Sequence, residues 1–184
     1  ENNVLGMAMG TSEAVGFVDA QGCITGWLNE LAFVPADYNK DAMVDEWSGD
    51  YGCGVKYFSQ DSVIKLAPAA GIELDESASP AEKLKVVQGL MAEGDERAAK
   101  IYDTIGAYFG YFIAFYAEFY DMKHVLIMGR VTSGEGGVIL LERAQEVLDK
   151  EFPELAKKIQ LHIPDEKARR VGQSVAAASL PKIN

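Results

Sequence analysis

Gly10-Thr11 breaks the apolar run of residues 4–9, and a second apolar run resumes at residues 14–18. A hairpin accounts for the resumption, because apolar residues on both sides of a small-residue turn pack on one core. It does not account for Gly-Thr. A glycine turn bares backbone N–H groups and the Thr11 hydroxyl adds a donor, while a plain hairpin turn is the competing reading. Other residues able to do chemistry are few. His124 and His162 each sit in or beside an alternating apolar run, where a satisfied structural histidine is favoured over a base. Cys23 and Cys53 form no Cys-x-x-Cys pair, which removes both a disulfide framework and a cysteine zinc cluster. No Gly-x-Ser-x-Gly elbow supports a nucleophilic triad.

These residues need elements to hold them. Residues 4–9, 14–19 and 24–28 read as an antiparallel meander of three strands. Residues 29–59 carry Pro35, scattered acids and Gly49, Gly52 and Gly54, and read as a long irregular excursion of the kind that often bears function. Helices are expected over residues 60–70, over 80–92 with Ser79 as N-cap and Pro80 at the first position, and over 95–120. A strand at 124–128, a helix at 136–152, a strand at 159–163 and a helix at 165–179 follow. Helices alternating with strands predict an α/β unit with parallel strands.

At 184 residues and 48% hydrophobic, the chain suits a single domain with a sizeable core. A net charge of −11 argues against a phosphate-backbone binder, which needs clustered Lys and Arg. The aromatic stretch 101–120 is uncharged only from Thr104 to Ala117, too short for a membrane span. Tyr102, Ile105, Phe109, Phe112, Ile113, Tyr116 and Tyr120 instead fall on one helical face, the pattern of a core helix. The start at Glu1, with no leader pattern, leads to the expectation of a fragment of a cytoplasmic protein.

The stretch MGTSEAVGFVDAQGCITG resembles the second phosphate motif of the ROK family of bacterial sugar kinases and repressors. Gly10, Thr11 and Gly16 match it, and Gly22 and Gly26 fall at the next turn and strand end. HVLIMGRVTSGEGGVILLERAQEVL resembles the family's adenosine motif, with Gly129 and Val131 matching, and IPDEKARRVGQSVAAASL resembles its final helix through Gly172, Ala176, Ala177 and Ala178. The resemblance implies an α/β fold of the ribonuclease H-like, actin-like ATPase type: three antiparallel strands, then alternating helices and parallel strands, with a helical insertion. It also implies that residues 1–184 form a single carboxyl-terminal ROK-like domain whose amino-terminal half lies outside this chain. ATP with magnesium is the implied cofactor, contacted by Gly10, Thr11, Gly129, Arg130 and Val131, and a sugar is the implied substrate, contacted by Glu30 and Phe33. No membrane and no nucleic acid are expected as partners of this domain, and a homodimer is left open.

The departures from the family pattern carry expectations too. In the family's Glu-x-Gly-His motif Glu30 matches, but Phe33 stands where the His would be. The cysteine-rich zinc loop is reduced to WSGDYGCGVKYFS, with Gly52-Cys53 kept and Val55 in place of a sugar-binding Glu, so no zinc is expected. Ser12, Glu13, Ala14 and Val15 replace Gly, Ile, Gly and Gly. Glu13 would repel a triphosphate unless magnesium or Arg130 came between them. Arg130 replaces a family glycine and either meets phosphate or base, or is solvated or paired with an acid. The family's general-base aspartate belongs to the missing half, so no catalytic residue is assigned here. Two functions follow: the nucleotide- and sugar-binding half of an ATP-dependent sugar kinase, inactive alone, or a catalytically impaired sugar sensor or transcriptional regulator.

Overall fold

Leu5, Met7 and Met9 alternate with Val4, Gly6 and Ala8, and an extended backbone sends the larger set to one face. The computed structural model describes residues 2–164. Strand β1 (Val4–Met9) lies between β2 (Glu13–Val18), antiparallel, and β3 (His124–Met128), parallel; β4 (Gln160–His162) pairs parallel with β3, giving the order β2-β1-β3-β4. Leu5, Met7, Met9, Val125 and Ile127 are fully buried on one face.

The third antiparallel strand expected at residues 24–28 does not form. Only Val18 and Ile24 bridge, with Thr25 N–H donating to the Phe17 carbonyl at 3.1 Å. Ile24 is 82% exposed and Leu28 86% exposed, so neither has a core to face that would hold the segment on the sheet edge, and Trp27 turns back on Tyr120 instead.

Helix α1 (Gln60–Leu66) stops short of the expected residue 70 because Pro68 lacks the N–H needed to continue it. Helix α2 (Pro80–Ala92) begins with a capping box between Ser79 and Glu82. Helix α3 (Glu96–Tyr116) has Asp95 as its N-cap and buries Tyr102, Ile105, Phe109, Phe112 and Ile113. It packs on α4 (Glu135–Glu151), after which the short α5 (Pro153–Ala156) leads into β4. A second stripe on α3, Gly106 and Gly110, permits that packing. A Cβ at Gly106 would lie 2.5 Å from the Leu140 carbonyl oxygen, and one at Gly110 would lie 2.6 Å from Val147 Cβ. The expected helix at 165–179, with Gly172, Ala176, Ala177 and Ala178, lies outside the described residues. No helix among the described residues is long and apolar enough to cross a membrane.

The excursion 29–59 is irregular, as its composition predicts, and contains 3-10 turns at Leu31–Phe33 and Gly54–Lys56. Bridges Pro35–Cys53 and Val44–Tyr51 fold it back on itself. The buried Lys56 ammonium fastens it to α1, reaching Asp61 at 2.7 Å and Asp45 at 3.4 Å and pairing with Glu46. Burial alone would lower the Lys56 pKa, but the hydrogen bonds to Asp61 and Glu46 outweigh it and hold the ammonium charged.

Candidate nucleotide and sugar site

Because β1 and β3 are parallel neighbours, both end at the same edge of the sheet, and the loops that leave them meet there. Val131 N–H donates to the Met9 carbonyl at 3.1 Å, so the Gly10-Thr11 turn and the Gly129-Arg130-Val131 loop are joined by a backbone bond. Gly129 makes this possible. Its φ is 106°, and a Cβ there would lie 2.3 Å from the Met9 carbonyl oxygen, so the fold itself demands glycine. Gly10 is different: a Cβ there would meet only the Ser12 carbonyl oxygen, at an ordinary 3.9 Å. A hairpin turn therefore does not explain why position 10 is glycine.

Thr11, Ser12 and Arg130 are exposed at this edge, while Val131 is fully buried beneath it. Helix α4 starts beside Arg130, with Gly134 as an N-cap that offers no side-chain hydrogen bond to the helix N–H groups. Thr132 and Ser133 hydroxyls donate to the Gly129 carbonyl at 3.1 and 3.4 Å, and Gln88 Nε2 donates to the Arg130 carbonyl at 2.7 Å, fixing the loop from below. Five residues that the resemblance links to nucleotide are thus gathered at one edge.

Glu13 departs from expectation. Opposite Met9 on β2, it points into the protein at 5% exposure rather than toward the exposed turn. Neither carboxylate oxygen has a hydrogen-bond partner among the described residues. Burial pushes its pKa up to about 8, so the side chain is neutral at pH 7 and the anticipated repulsion of phosphate does not arise there.

Glu30 and Phe33 bound the 3-10 turn Leu31–Phe33, with Phe33 N–H donating to the Glu30 carbonyl at 3.1 Å. Both residues are exposed. Phe33 stacks at 5.6 Å and 35° against Trp47, itself exposed. Trp47 was missed from sequence, although a tryptophan in a glycine-rich irregular stretch is the signal that could have found it. Val55 is half-buried, and Cys53 is buried and bridges Pro35 through the backbone.

The segment 54–60 connects the two places. Gly54 N–H donates to the Val34 carbonyl at 2.9 Å beside the Leu31–Phe33 turn, and Gln60 N–H donates to the Gly10 carbonyl at 2.8 Å. Gln60 was not legible as a site residue, since its backbone makes the contact. His124 and His162 lie on neighbouring strands with Nδ1 and Nε2 2.9 Å apart, away from this edge, in keeping with the structural reading.

Loops gathered at the carboxyl ends of parallel neighbouring strands, with a helix start beside them, are the layout of an α/β fold. Solved structures similar to the chain include ROK proteins. A ROK family transcriptional regulator, a homologue of the Escherichia coli MLC protein, aligns with TM-score 0.68 and 18% identity over 89% of this chain and 42% of its own. A ROK glucokinase from Streptomyces griseus, in complex with glucose and AMPPNP, aligns with TM-score 0.65 and 16% identity over 88% of this chain and 55% of its own. A ROK hexokinase from Thermus thermophilus gives TM-score 0.65 and 17% identity over 90% and 53%. The chain therefore has the fold of ROK proteins across most of its own length and about half of theirs. No protein-family model and no curated protein matches it.

Proposed function

We propose that the chain is the carboxyl-terminal, nucleotide- and sugar-binding half of a ROK-like ATP-dependent sugar kinase, ribonuclease H-like in its topology. The observation that carries this reading is Gly10, a glycine that neither its backbone angle nor its neighbours require, at an exposed turn bonded to the loop of Gly129, Arg130 and Val131. Phosphates would lie against the Gly10-Thr11-Ser12 backbone, the Thr11 hydroxyl and the Arg130 guanidinium, a chemistry that fits an exposed edge with a cation and a helix start. ATP with magnesium would supply the phosphoryl group; this chain's part is to hold and orient it. The sugar would meet the Glu30 carboxylate and the Phe33–Trp47 rings, which offer an apolar face for stacking. The neighbouring kinase with bound glucose and AMPPNP supports the reading.

In the full-length protein, Gly10→Val is expected to weaken binding of an ATP analogue, by titration calorimetry, far more than it lowers the melting temperature. Thr11→Ala is expected to weaken binding by roughly 1.5 to 3 kcal/mol, the value of a hydrogen bond to a charged group. Gly129 is unsuitable for the same test, because its replacement strains the fold first. Unchanged affinity in Gly10→Val would overturn the nucleotide reading.

A second reading has its own support. Phe33 in place of a histidine, and a transcriptional regulator among the structural neighbours, fit a ROK-like sugar sensor without efficient transfer. In either case zinc is expected to be absent, and elemental analysis giving about one zinc per chain after dialysis would refute that, since a structural site needs four ligands.

A further inference from the structure

Glu13 begins β2, paired with Met9 of β1, and is buried at 5% exposure. No N–H or O–H group among the described residues donates to either of its carboxyl oxygens. What Oε2 meets instead is other oxygen. It lies 2.8 Å from the point a Cβ on Gly54 would take, and the carbonyl oxygens of Leu31 and Val34 lie 2.6 and 3.5 Å from that same point. Each carbonyl accepts one N–H, from Val34 and Gly54 respectively, and keeps a second lone pair.

Oxygens brought together in a buried place repel unless a hydrogen lies between them. A carboxylate has none to offer, whereas the neutral acid carries one O–H. A metal ion would serve the same end, but the backbone of Gly54 fills the point on which the oxygens converge, so the space suits a proton and not an ion with its shell of ligands. The elements packed around Glu13 supply no free counter-charge either. Strand β1 carries no titratable side chain. Helix α3 presents the Tyr116 hydroxyl, buried without a partner among the described residues and kept protonated by burial and by Glu13 itself, and the Tyr120 hydroxyl beyond it donates to Asn29 Oδ1 at 3.0 Å. Beside Gly54, burial holds the Cys53 thiol neutral, and the Lys56 ammonium is taken by Asp61, Asp45 and Glu46.

We propose that the protonated Glu13 carboxyl is a latch: its O–H donates to the Leu31 carbonyl and holds the Leu31–Phe33 turn against β2, and loss of the proton to solvent releases the turn. What is released carries Glu30 and Phe33 and, through the Phe33 ring, Trp47. The latch needs no ligand and does not rest on the nucleotide or sugar reading. Its direction with pH follows from burial, which raises the Glu13 pKa from 4.5 to about 8 in the closed state. The latch therefore acts in full below about 4.5, weakens roughly tenfold per pH unit above it, and is spent once pH passes about 8.

Amide hydrogen exchange of the full chain between pH 5 and pH 9, corrected for the intrinsic rate at each pH, reads the latch at Phe33, Val34 and Gly54, whose N–H groups are bonded within the turn or to its end. Their protection factors are expected to fall roughly tenfold per pH unit up to about pH 8 and then to level off. The amides of Gly71 and Gly94, bonded in the turns after α1 and α2, are expected to keep theirs. Glu13→Gln retains an N–H donor and has no proton to lose, so the three protection factors should stay level across the range. Exchange at pH 8 is repeated with sodium, potassium or calcium chloride replacing tetramethylammonium chloride at constant ionic strength, and no change is expected. Protection at the three amides that ignores pH, an equal fall at Gly71 and Gly94, a fall that persists in Glu13→Gln, or protection restored by a metal ion would each overturn the proposal.

Discussion

A carboxyl group at 5% exposure without a hydrogen-bond partner works against the fold whenever it is charged, and Glu13 is such a group. Its folded pKa is raised by burial to about 8 from an ordinary 4.5. Between those values the unfolded chain has released the proton while the folded one keeps it, so stability falls as pH rises from about 4.5 to about 8. Below that window there is no cost; above it the cost is complete, on the order of 5 kcal/mol. Glu13→Leu, of similar size and apolar, is expected to flatten this slope and to be more stable than the parent at pH 8. Urea unfolding at pH 5 and pH 8 measures it, and an identical slope in the variant would refute the assignment. The burial of Glu13 was not legible in the sequence. A charged residue next to a glycine turn reads as exposed, and only the pairing of β2 with β1 turns it inward.

Among the elements, α3 was read as a core helix from the spacing of Tyr102 to Tyr116, but it ends at Tyr116 and leaves Tyr120, expected on the same helical face, beyond it. Its glycines were not read, because a glycine within a helix signals only lost propensity until the partner helix is known. The structure separates two kinds. Gly106 has the Leu140 carbonyl 2.5 Å from its missing Cβ, whereas Gly89 on α2 has nothing within 4 Å. Gly89→Ala is therefore expected to stabilise by about 0.5 to 1 kcal/mol through the chain entropy it removes. Gly106→Ala forces α3 and α4 apart and is expected to destabilise by about 1 to 3 kcal/mol. Thermal melts of the two variants should move in opposite directions. The third strand failed for a related reason: Ile24 and Leu28 have the composition of a strand but meet no buried face. Sequence supplies residue types, and the facing surface decides their use.

At the scale of the molecule, the chain covers about half of the ROK structures it matches, and it is expected to phosphorylate no hexose alone. A coupled assay giving turnover above background with glucose would refute this. The meeting of Gly10 with Gly129 could be anticipated because motifs at the ends of parallel neighbours share an edge. The meeting of Phe33 with Trp47 could not, since it depends on how the loop 29–59 folds back on itself. That loop has one more consequence. Through the segment 54–60, the backbone bonded to Val34 beside the turn of Phe33 is also bonded to Gly10, with the Lys56 ion pairs stiffening it in between. A ligand that shifts the Phe33–Trp47 rings would pull on a tether whose other end is the Gly10-Thr11 turn. In the proposed kinase half, thermodynamic reciprocity then applies: whatever factor the sugar added to nucleotide affinity, the nucleotide would add to sugar affinity.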